Sequence, residues 1–403
     1  MVIGIDASRA NLARKTGTEW YSFYVIQNLA LLDKKNKYIL YLDRNPSDEF
    51  RSVVKNNPNF SFKVLKWPFN FFWTLGRLSL EMMFRRPDVL FVPAHTLPLI
   101  HPKKTITTIH DIAFARESNL YRQETAKTDV KLFKSLIGLL VKIMTRGKYR
   151  PTSVDYLHWS TAFALRHAKK IITVSNFTKK EVLKVYSEAK EEKLKVVHNG
   201  YNNKLYRKID NKEKIAEVLD KYGIVSPYFL YVGRLEKKKN SPYLIEAFAI
   251  LKENEPNMKE ELVLIGNAGY GYDEAKYVIE QFNLNQEVYM PGWIQEEDLP
   301  YIFNGALAFI FPSRHEGFGI PVIQALACGV PVAASQLAVF KEIAGDSILY
   351  FDQNCKHDIS RAMGEIANNE ELRETLKRRG LETVKNFDWK KCAEETLREI
   401  ESM

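Results

Sequence analysis

The chain is short of cysteine and of long apolar runs, and each shortage excludes something. Its three cysteines, Cys328, Cys355 and Cys392, stand singly with no pair at metal-ligand spacing, so neither a disulfide framework nor a structural zinc site is expected. No apolar stretch reaches the ~18 residues that a spanning helix needs. Residues Met1 to Asp6 begin as a strand-like run and not as a basic stub followed by an apolar region, so no secretory signal is read. The expected place is the cytoplasm, with a peripheral position at the inner face of the membrane as the open variant. A glycine fingerprint is missing as well: the first strand leads into Ala7-Ser-Arg-Ala-Asn-Leu-Ala-Arg14 and not into Gly-x-Gly-x-x-Gly, which argues against a nicotinamide-dependent oxidoreductase.

What is present is enough to build large cores. The 403 residues are 45% hydrophobic and 12% aromatic, which suits two or three ordinary domains and excludes a disordered or collagen-like chain. Charge is divided unevenly. Residues 1–200 carry 34 Lys and Arg against 17 Asp and Glu, and residues 201–403 carry 25 against 32, so the halves stand at +17 and −7. This split argues for two separately built domains and for a first half that meets an anionic surface, phosphorylated acceptor or nucleic acid; a solubilising surface is the plain alternative. No nucleic-acid motif occurs and the cations are dispersed, so nucleic acid is not an expected partner. Within Gln123–Trp159, the cations Lys131, Lys134, Lys142, Arg146, Lys148 and Arg150 flank Leu132, Phe133, Leu136, Leu139, Leu140 and Ile143. That spacing reads as a basic amphipathic helix, either lying on an anionic membrane or packed against its own domain.

Short β-branched runs alternate with segments of helical period through both halves, the pattern of an α/β protein with parallel sheets. Strands are predicted at Val2–Asp6, Tyr38–Leu42, Val89–Val92, Thr105–Ile109, Lys170–Val174 and Lys195–His198, with a helix over Glu19–Leu32. A second series is predicted at Tyr228–Val232, Glu261–Ile265, Glu287–Met290, Leu307–Phe311, Val330–Ala334 and Ser347–Phe351. The segment from about Gly200 to Pro227 reads as a linker around a charged helix. The domains are therefore set at residues 1–205 and 206–385, with a closing helix over 386–403 that returns to the first domain.

Two segments carry most of the chemistry. Ser313-Arg-His-Glu-Gly-Phe-Gly-Ile-Pro321 follows a strand and opens a helix; Gly317 and Gly319 permit close backbone approach, and free amides at a helix start favour a phosphate or diphosphate. Pro321 suits the first helical turn. A tight strand-to-helix turn would use the same glycines. Tyr231-Val-Gly-Arg-Leu-Glu-Lys-Lys-Lys-Asn240 follows another strand and brings Gly233, Arg234 and Lys239 to the same sheet edge, where a guanidinium and an ammonium would neutralise a leaving diphosphate. The loops Gly266–Tyr272 and Gly292-Trp293-Ile294 suit a base and ribose.

Taken in order, Val232-Gly-Arg, Leu264-Ile-Gly, Pro291-Gly-Trp, Phe311-Pro-Ser, Glu316-Gly-Phe-Gly-Ile-Pro-Val-Ile-Gln324 and Gly329-Val-Pro-Val-Ala-Ala resemble the retaining GT-B glycosyltransferases of family 4. Ile109-His-Asp-Ile, Val174-Ser-Asn-Phe-Thr, Val197-His-Asn-Gly200 and Phe387-Asp-Trp389 extend the resemblance over most of the chain. It implies two Rossmann-like domains facing each other across a cleft. It also implies a nucleotide-sugar donor, GDP- or UDP-linked, held mainly by the second domain, and a lipid-linked or polysaccharide acceptor in cell-envelope glycan assembly. Neither a metal nor another cofactor is implied. By the same resemblance Arg234 and Lys239 bind the diphosphate, assisted by the amides of Phe318 and Gly319. Glu316 contacts the donor sugar, His110 hydrogen-bonds a sugar hydroxyl, and Gly17 lines the donor phosphates. His95 and His315 are read as structural or peripheral.

The chain departs from this pattern at Gln324, where the family's second glutamate takes the ribose hydroxyls. An amide offers one accepting oxygen where a carboxylate accepts from both hydroxyls, at a cost of about 1–2 kcal/mol unless a neighbour compensates. A catalytically degenerate GT-B scaffold that only binds nucleotide or glycan is the alternative this residue suggests.

Overall fold

In the computed structural model, residues 1–67, 73–121 and 153–403 are described. The predicted amphipathic segment lies outside them from residue 123 to residue 152. The chain forms two compact units, Met1–Gly200 together with Trp389–Met403, and Tyr201–Asp388.

The first unit is built on β1 (Val2–Asp6), β2 (Lys37–Leu42), β3 (Phe60–Val64), β4 (Val89–Val92), β5 (Thr105–Ile109), β6 (Lys170–Thr173) and β7 (Leu194–Val196). They pair in parallel in the order β3-β2-β1-β4-β5-β6-β7, with Ile3 beside both Tyr38 and Val89. β4 and β5 are buried at every position, as expected where helices cover both faces of a parallel sheet and the strands become continuous apolar runs. β3 was not predicted. It is an edge strand whose Phe60-Ser-Phe-Lys-Val64 stays half open after Phe60, so it lacks the continuous apolar run that marks the inner strands. Tyr38 and Phe60 stack at 4.1 Å to hold it.

Helix Gly17–Leu32 starts two residues before the predicted range. Thr16 is its N-cap, and the Glu19 carboxylate accepts from the Thr16 amide at 3.1 Å and from the Thr16 hydroxyl. The closing helix, Trp389–Glu401, packs within this unit: Trp389 stacks on Tyr24 at 5.4 Å, and Lys170 pairs with Glu399 at 2.5 Å. On the other face of the sheet, Leu78, Met82, Leu97, Ala162 and Leu165 share one core, which seats the segment Trp73–Phe84 and the helix Ser153–His167.

The second unit repeats the plan with β8 (Tyr228–Val232), β9 (Glu261–Ile265), β10 (Val288–Gly292), β11 (Ala308–Phe311), β12 (Val332–Ser335) and β13 (Leu349–Phe351) in the order β10-β9-β8-β11-β12-β13. The charged helix Lys212–Lys221 that precedes β8 is capped by the Asn211 side chain on the Lys214 amide. β13 begins two residues later than predicted, because Gly345–Ser347 is taken up in a 3-10 turn. Among the described residues no helix is long and apolar enough to cross a membrane. The cysteines are free, and Cys328 and Cys392 are buried.

Candidate functional site

The strand order of the second, all-parallel sheet turns back between β8 and β11, and the crevice beyond the carboxyl ends of strands at such a point is where open α/β sheets take ligands. β8 leads through Gly233 and Arg234 into the 3-10 turn Lys237–Lys239, which ends on Asn240 in the left-handed region (φ 61°). Asn240 is buried. Its amide nitrogen donates to the Gln353 carbonyl at 2.8 Å and its Oδ1 accepts from Arg314 Nε at 3.0 Å, so the turn is anchored from both sides. Lys239 Nζ thereby lies 2.5 Å from Glu316 Oε1 and 5.3 Å from the centre of the Phe311 ring.

Glu316 stands on the loop after β11, 8% exposed, and accepts a second bond from Ser313 Oγ at 2.7 Å. Burial alone would raise its carboxyl, but the charges of Lys239 and Lys238 and the two hydrogen bonds outweigh burial and hold it below the ordinary glutamate value. It is thus a fixed anion at neutral pH. It does not cap the following helix, Ile320–Ala327, which starts from Gly319 (φ 103°) with Pro321 in its first turn. A Cβ on Gly319 would come within 2.6 Å of Phe340, so this turn demands glycine for space as well as for conformation.

The other residues marked in the sequence are distributed as follows. Arg234 is 55% exposed and only loosely held, its Nη1 3.5 Å from Glu236 Oε2. Gly317 and Phe318 are buried, and the Phe318 ring meets Phe387 edge-on at 5.6 Å, so any ligand role at Phe318 falls to the main chain. Gln324 is half-buried and makes no side-chain hydrogen bond among the described residues. Ile294 is buried and Trp293 half-buried, just past Gly292 (φ 81°). Gly266 has a task inside the protein: a Cβ there would lie 1.9 Å from the Gly233 carbonyl oxygen. Without that Cβ the loops leaving β8 and β9 zip together, through Leu235 N to Asn267 O and Gly269 N to Leu235 O, both 2.9 Å, and Lys237 N to Tyr270 O, 2.8 Å.

Gly17 and His110 belong to the first unit. Gly17 is the first residue of its helix, and nothing lies within 4 Å of where a Cβ would stand. His110, at the end of β5, places Nε2 3.0 Å from the Pro93 carbonyl oxygen. A carbonyl can only accept, so Nε2 carries the proton and Nδ1 keeps its lone pair. Tyr21 meets the ring edge-on at 4.7 Å, and burial lowers the imidazole pKa despite the Pro93 bond, so His110 is neutral at pH 7. Nearby, Asp6 accepts from Ser8 Oγ at 2.6 Å and Thr74 Oγ1 at 3.0 Å, and burial raises its carboxyl.

Three residues that the motif reading did not assign take part in this framework. Ser313 orients Glu316 and Asn240 shapes the lysine turn. Arg9 pairs with Glu19 at 3.3 Å, and its charge helps lower both His95 and His110. Ser313 lay inside a quoted motif; a lone arginine after the first strand carries no signal before the loop is folded. Among the described residues no group of three or more His, Cys, Asp or Glu is placed to hold a metal ion. The arrangement offers a fixed anion beside a cation, a second, exposed cation, and a helix start, which together can receive a polar ligand carrying an anionic group.

A family model described as "Glycosyltransferase Family 4" matches residues 17–205, and one described as "Glycosyl transferases group 1" matches residues 214–383. The chain is 29% identical over 391 residues to O-antigen chain mannosyltransferase B of Escherichia coli, covering 95% of each. Its fold resembles that of sucrose-phosphate synthase from Thermosynechococcus elongatus, with a TM-score of 0.72 at 18% identity and coverage of 98% and 97%. It also resembles Anabaena Alr3699/HepE in complex with UDP-glucose, with a TM-score of 0.71 at 15% identity and coverage of 100% and 99%.

Proposed function

Because the chain belongs to the group 1 glycosyltransferases and has their GT-B fold of two Rossmann-like α/β domains, we propose that it is a retaining, metal-independent hexosyltransferase that takes its sugar from a GDP- or UDP-linked donor. The acceptor in this reading is a glycan, polymeric or lipid-linked, in envelope polysaccharide assembly. The relative named as an O-antigen mannosyltransferase supports the acceptor class and makes mannose the first sugar to test.

The observation that carries the reading is the Lys239–Glu316 pair at the reversal point of the second sheet, beside the start of helix Ile320–Ala327. Departure of the donor diphosphate leaves an oxocarbenium-like sugar and gathers negative charge on the phosphate oxygens. Lys239, Arg234 and the main chain at Phe318 and Gly319 stabilise that charge more in the transition state than in the ground state. Glu316 stays ionised, so its part is to accept hydrogen bonds from sugar hydroxyls and to hold Lys239 in place. Front-face departure and attack then retain the anomeric configuration. His110, with Nδ1 as acceptor, takes a hydrogen bond from a sugar hydroxyl without bringing charge.

The test is donor consumption and thermal stabilisation across GDP- and UDP-sugars in the presence of EDTA, with the product anomer read by NMR. One donor should stabilise the wild type and be consumed with retention, and Glu316→Ala should lower turnover by about a hundredfold or more. If no donor binds or turns over until Gln324→Glu is introduced, the chain is a degenerate member that has kept only binding; the uncommitted amide of Gln324 is what favours that second reading.

A further inference from the structure

Arg314 stands between the two loops that form the candidate site and bonds to both neighbours of Lys239. It lies two residues before Glu316 on the loop after β11, and its Nε donates to Asn240 Oδ1 at 3.0 Å, on the turn that follows β8. Its main-chain amide donates to the Lys238 carbonyl at 2.9 Å. One arginine therefore brackets the lysine that pairs with Glu316, from the same loop that carries the glutamate.

The guanidinium is itself held in place. Its Cζ lies 4.9 Å from the centre of the Tyr243 ring, in the first turn of the helix Ser241–Asn254, and Lys356 Nζ lies 4.8 Å from the same ring. Lys356 opens the helix Lys356–Asn368 after β13 and pairs with Glu246, on the turn that follows Tyr243, so the second cation at the ring is offset. The loop after β13 also reaches the lysine turn directly, because the Gln353 carbonyl accepts from the Asn240 amide. The chain ends leaving β8, β11 and β13 are thus tied at one point. Only arginine suits that point, since a guanidinium offers a flat face to the ring and keeps an in-plane Nε–H for Asn240.

We infer that Arg314 is a positioning residue for sugar transfer: through Asn240 and the lysine turn it fixes where the Lys239 ammonium stands, and it does so without acting on the donor itself. The inference rests on the reading of Lys239 as a cation that receives the departing diphosphate. An ammonium on a flexible four-carbon stem stabilises developing charge only if it is already in place when the bond breaks. A misplacement of about 1 Å is enough to lower turnover about a hundredfold.

The experiment pairs steady-state consumption of GDP-mannose, then of the other GDP- and UDP-hexoses, with nitrogen NMR of the lysine ammonium groups. The Lys239 signal is assigned by its loss in Lys239→Met. In the wild type this ammonium, 17% exposed beside Glu316, should be protected from exchange with water. Arg314→Met should abolish that protection and lower kcat about tenfold to a hundredfold, while the donor KM changes less than about threefold. Arg314→Lys should do the same, because it lacks the Nε–H and the flat face. Asn240→Gly keeps the left-handed backbone and should reproduce the loss; adding Arg314→Met to it should lower kcat less than about twofold further. Arg361→Gln, at an exposed arginine of the helix Lys356–Asn368, should change neither readout. If Arg314→Met does not fold, Arg314→Lys and Asn240→Gly carry the same two measurements. The inference is overturned if Lys239 stays protected in these variants, if Arg314→Lys behaves as wild type, or if Arg314→Met costs as much turnover in Asn240→Gly as in the wild type. A wild type that consumes no donor overturns the transfer reading alone, and the ammonium signal then decides whether Arg314 places Lys239.

Discussion

At the scale of single residues, two glycines that look alike in a motif search separate cleanly. Gly266→Ala would drive a Cβ into the Gly233 carbonyl at a φ of 149° and should destabilise the second unit by about 3–4 kcal/mol, read by denaturant unfolding. Gly17→Ala has open space and should leave the melting temperature unchanged; if Gly17 lines the donor phosphates, donor turnover should nevertheless fall about tenfold or more. Glu316 and Lys239 give a test with a sign. In the wild type the folded carboxyl titrates below its ordinary 4.5, so its contribution is complete above that value and is lost as pH falls through the folded value. In Lys239→Met the largest charge that lowers the Glu316 carboxyl is gone, so its folded value should move up and less stability should be lost as pH falls through the acid range. Breaking the pair should itself cost about 3–5 kcal/mol at neutral pH. His95 acts with the same sign. Burial pushes its imidazole down to about 4 from 6.5, so it stabilises fully above 6.5 and loses this as pH falls toward 4; His95→Gln should remove about 3 kcal/mol of that acid sensitivity.

At the scale of elements, the inner strands were legible because parallel strands covered on both faces must be apolar throughout, as Val89–Val92 and Thr105–Ile109 are. The edge strand Phe60–Val64 was not, since its Ser61 and Lys63 interrupt the run and its place is decided by pairing with Tyr38–Leu42. The closing helix Trp389–Glu401 offers a sharp element-level prediction. It buries Trp389, Cys392, Ala393, Thr396 and Ile400, and its Trp389 covers Tyr24 and the edge of Tyr21. A chain stopped at Asp388 should therefore lose a large part of the first unit's stability, seen as a lowered transition in calorimetry, while the transition of residues 201–388 stays in place.

At the scale of the whole molecule, the charge division of +17 and −7 follows a physical division into two units, each with its own sheet. Residues 201–388 are continuous in sequence and hold Arg234, Lys239 and Glu316, so this fragment expressed alone should fold cooperatively and bind a nucleoside diphosphate, measured by titration calorimetry. The first unit is made from two pieces of chain, and residues 1–200 alone should fold only weakly for the reason given for the closing helix.

The amino-acid sequence by itself determined the α/β class, the two sheets and the glycosyltransferase family, because those rest on apolar periodicity and on short motifs whose residues are neighbours in the chain. Glu316, Gly319 and Arg234 were legible for that reason. Tertiary structure alone decided that Lys239 reaches Glu316 across 77 positions, that Gly266 serves the loop frame, that the proton of His110 sits on Nε2, and that Leu80, Met83 and Phe84 face outward. Each of these depends on which strand ends become neighbours and which helix face the core leaves uncovered. Sheet order sets both, and the local pattern of residues does not contain it.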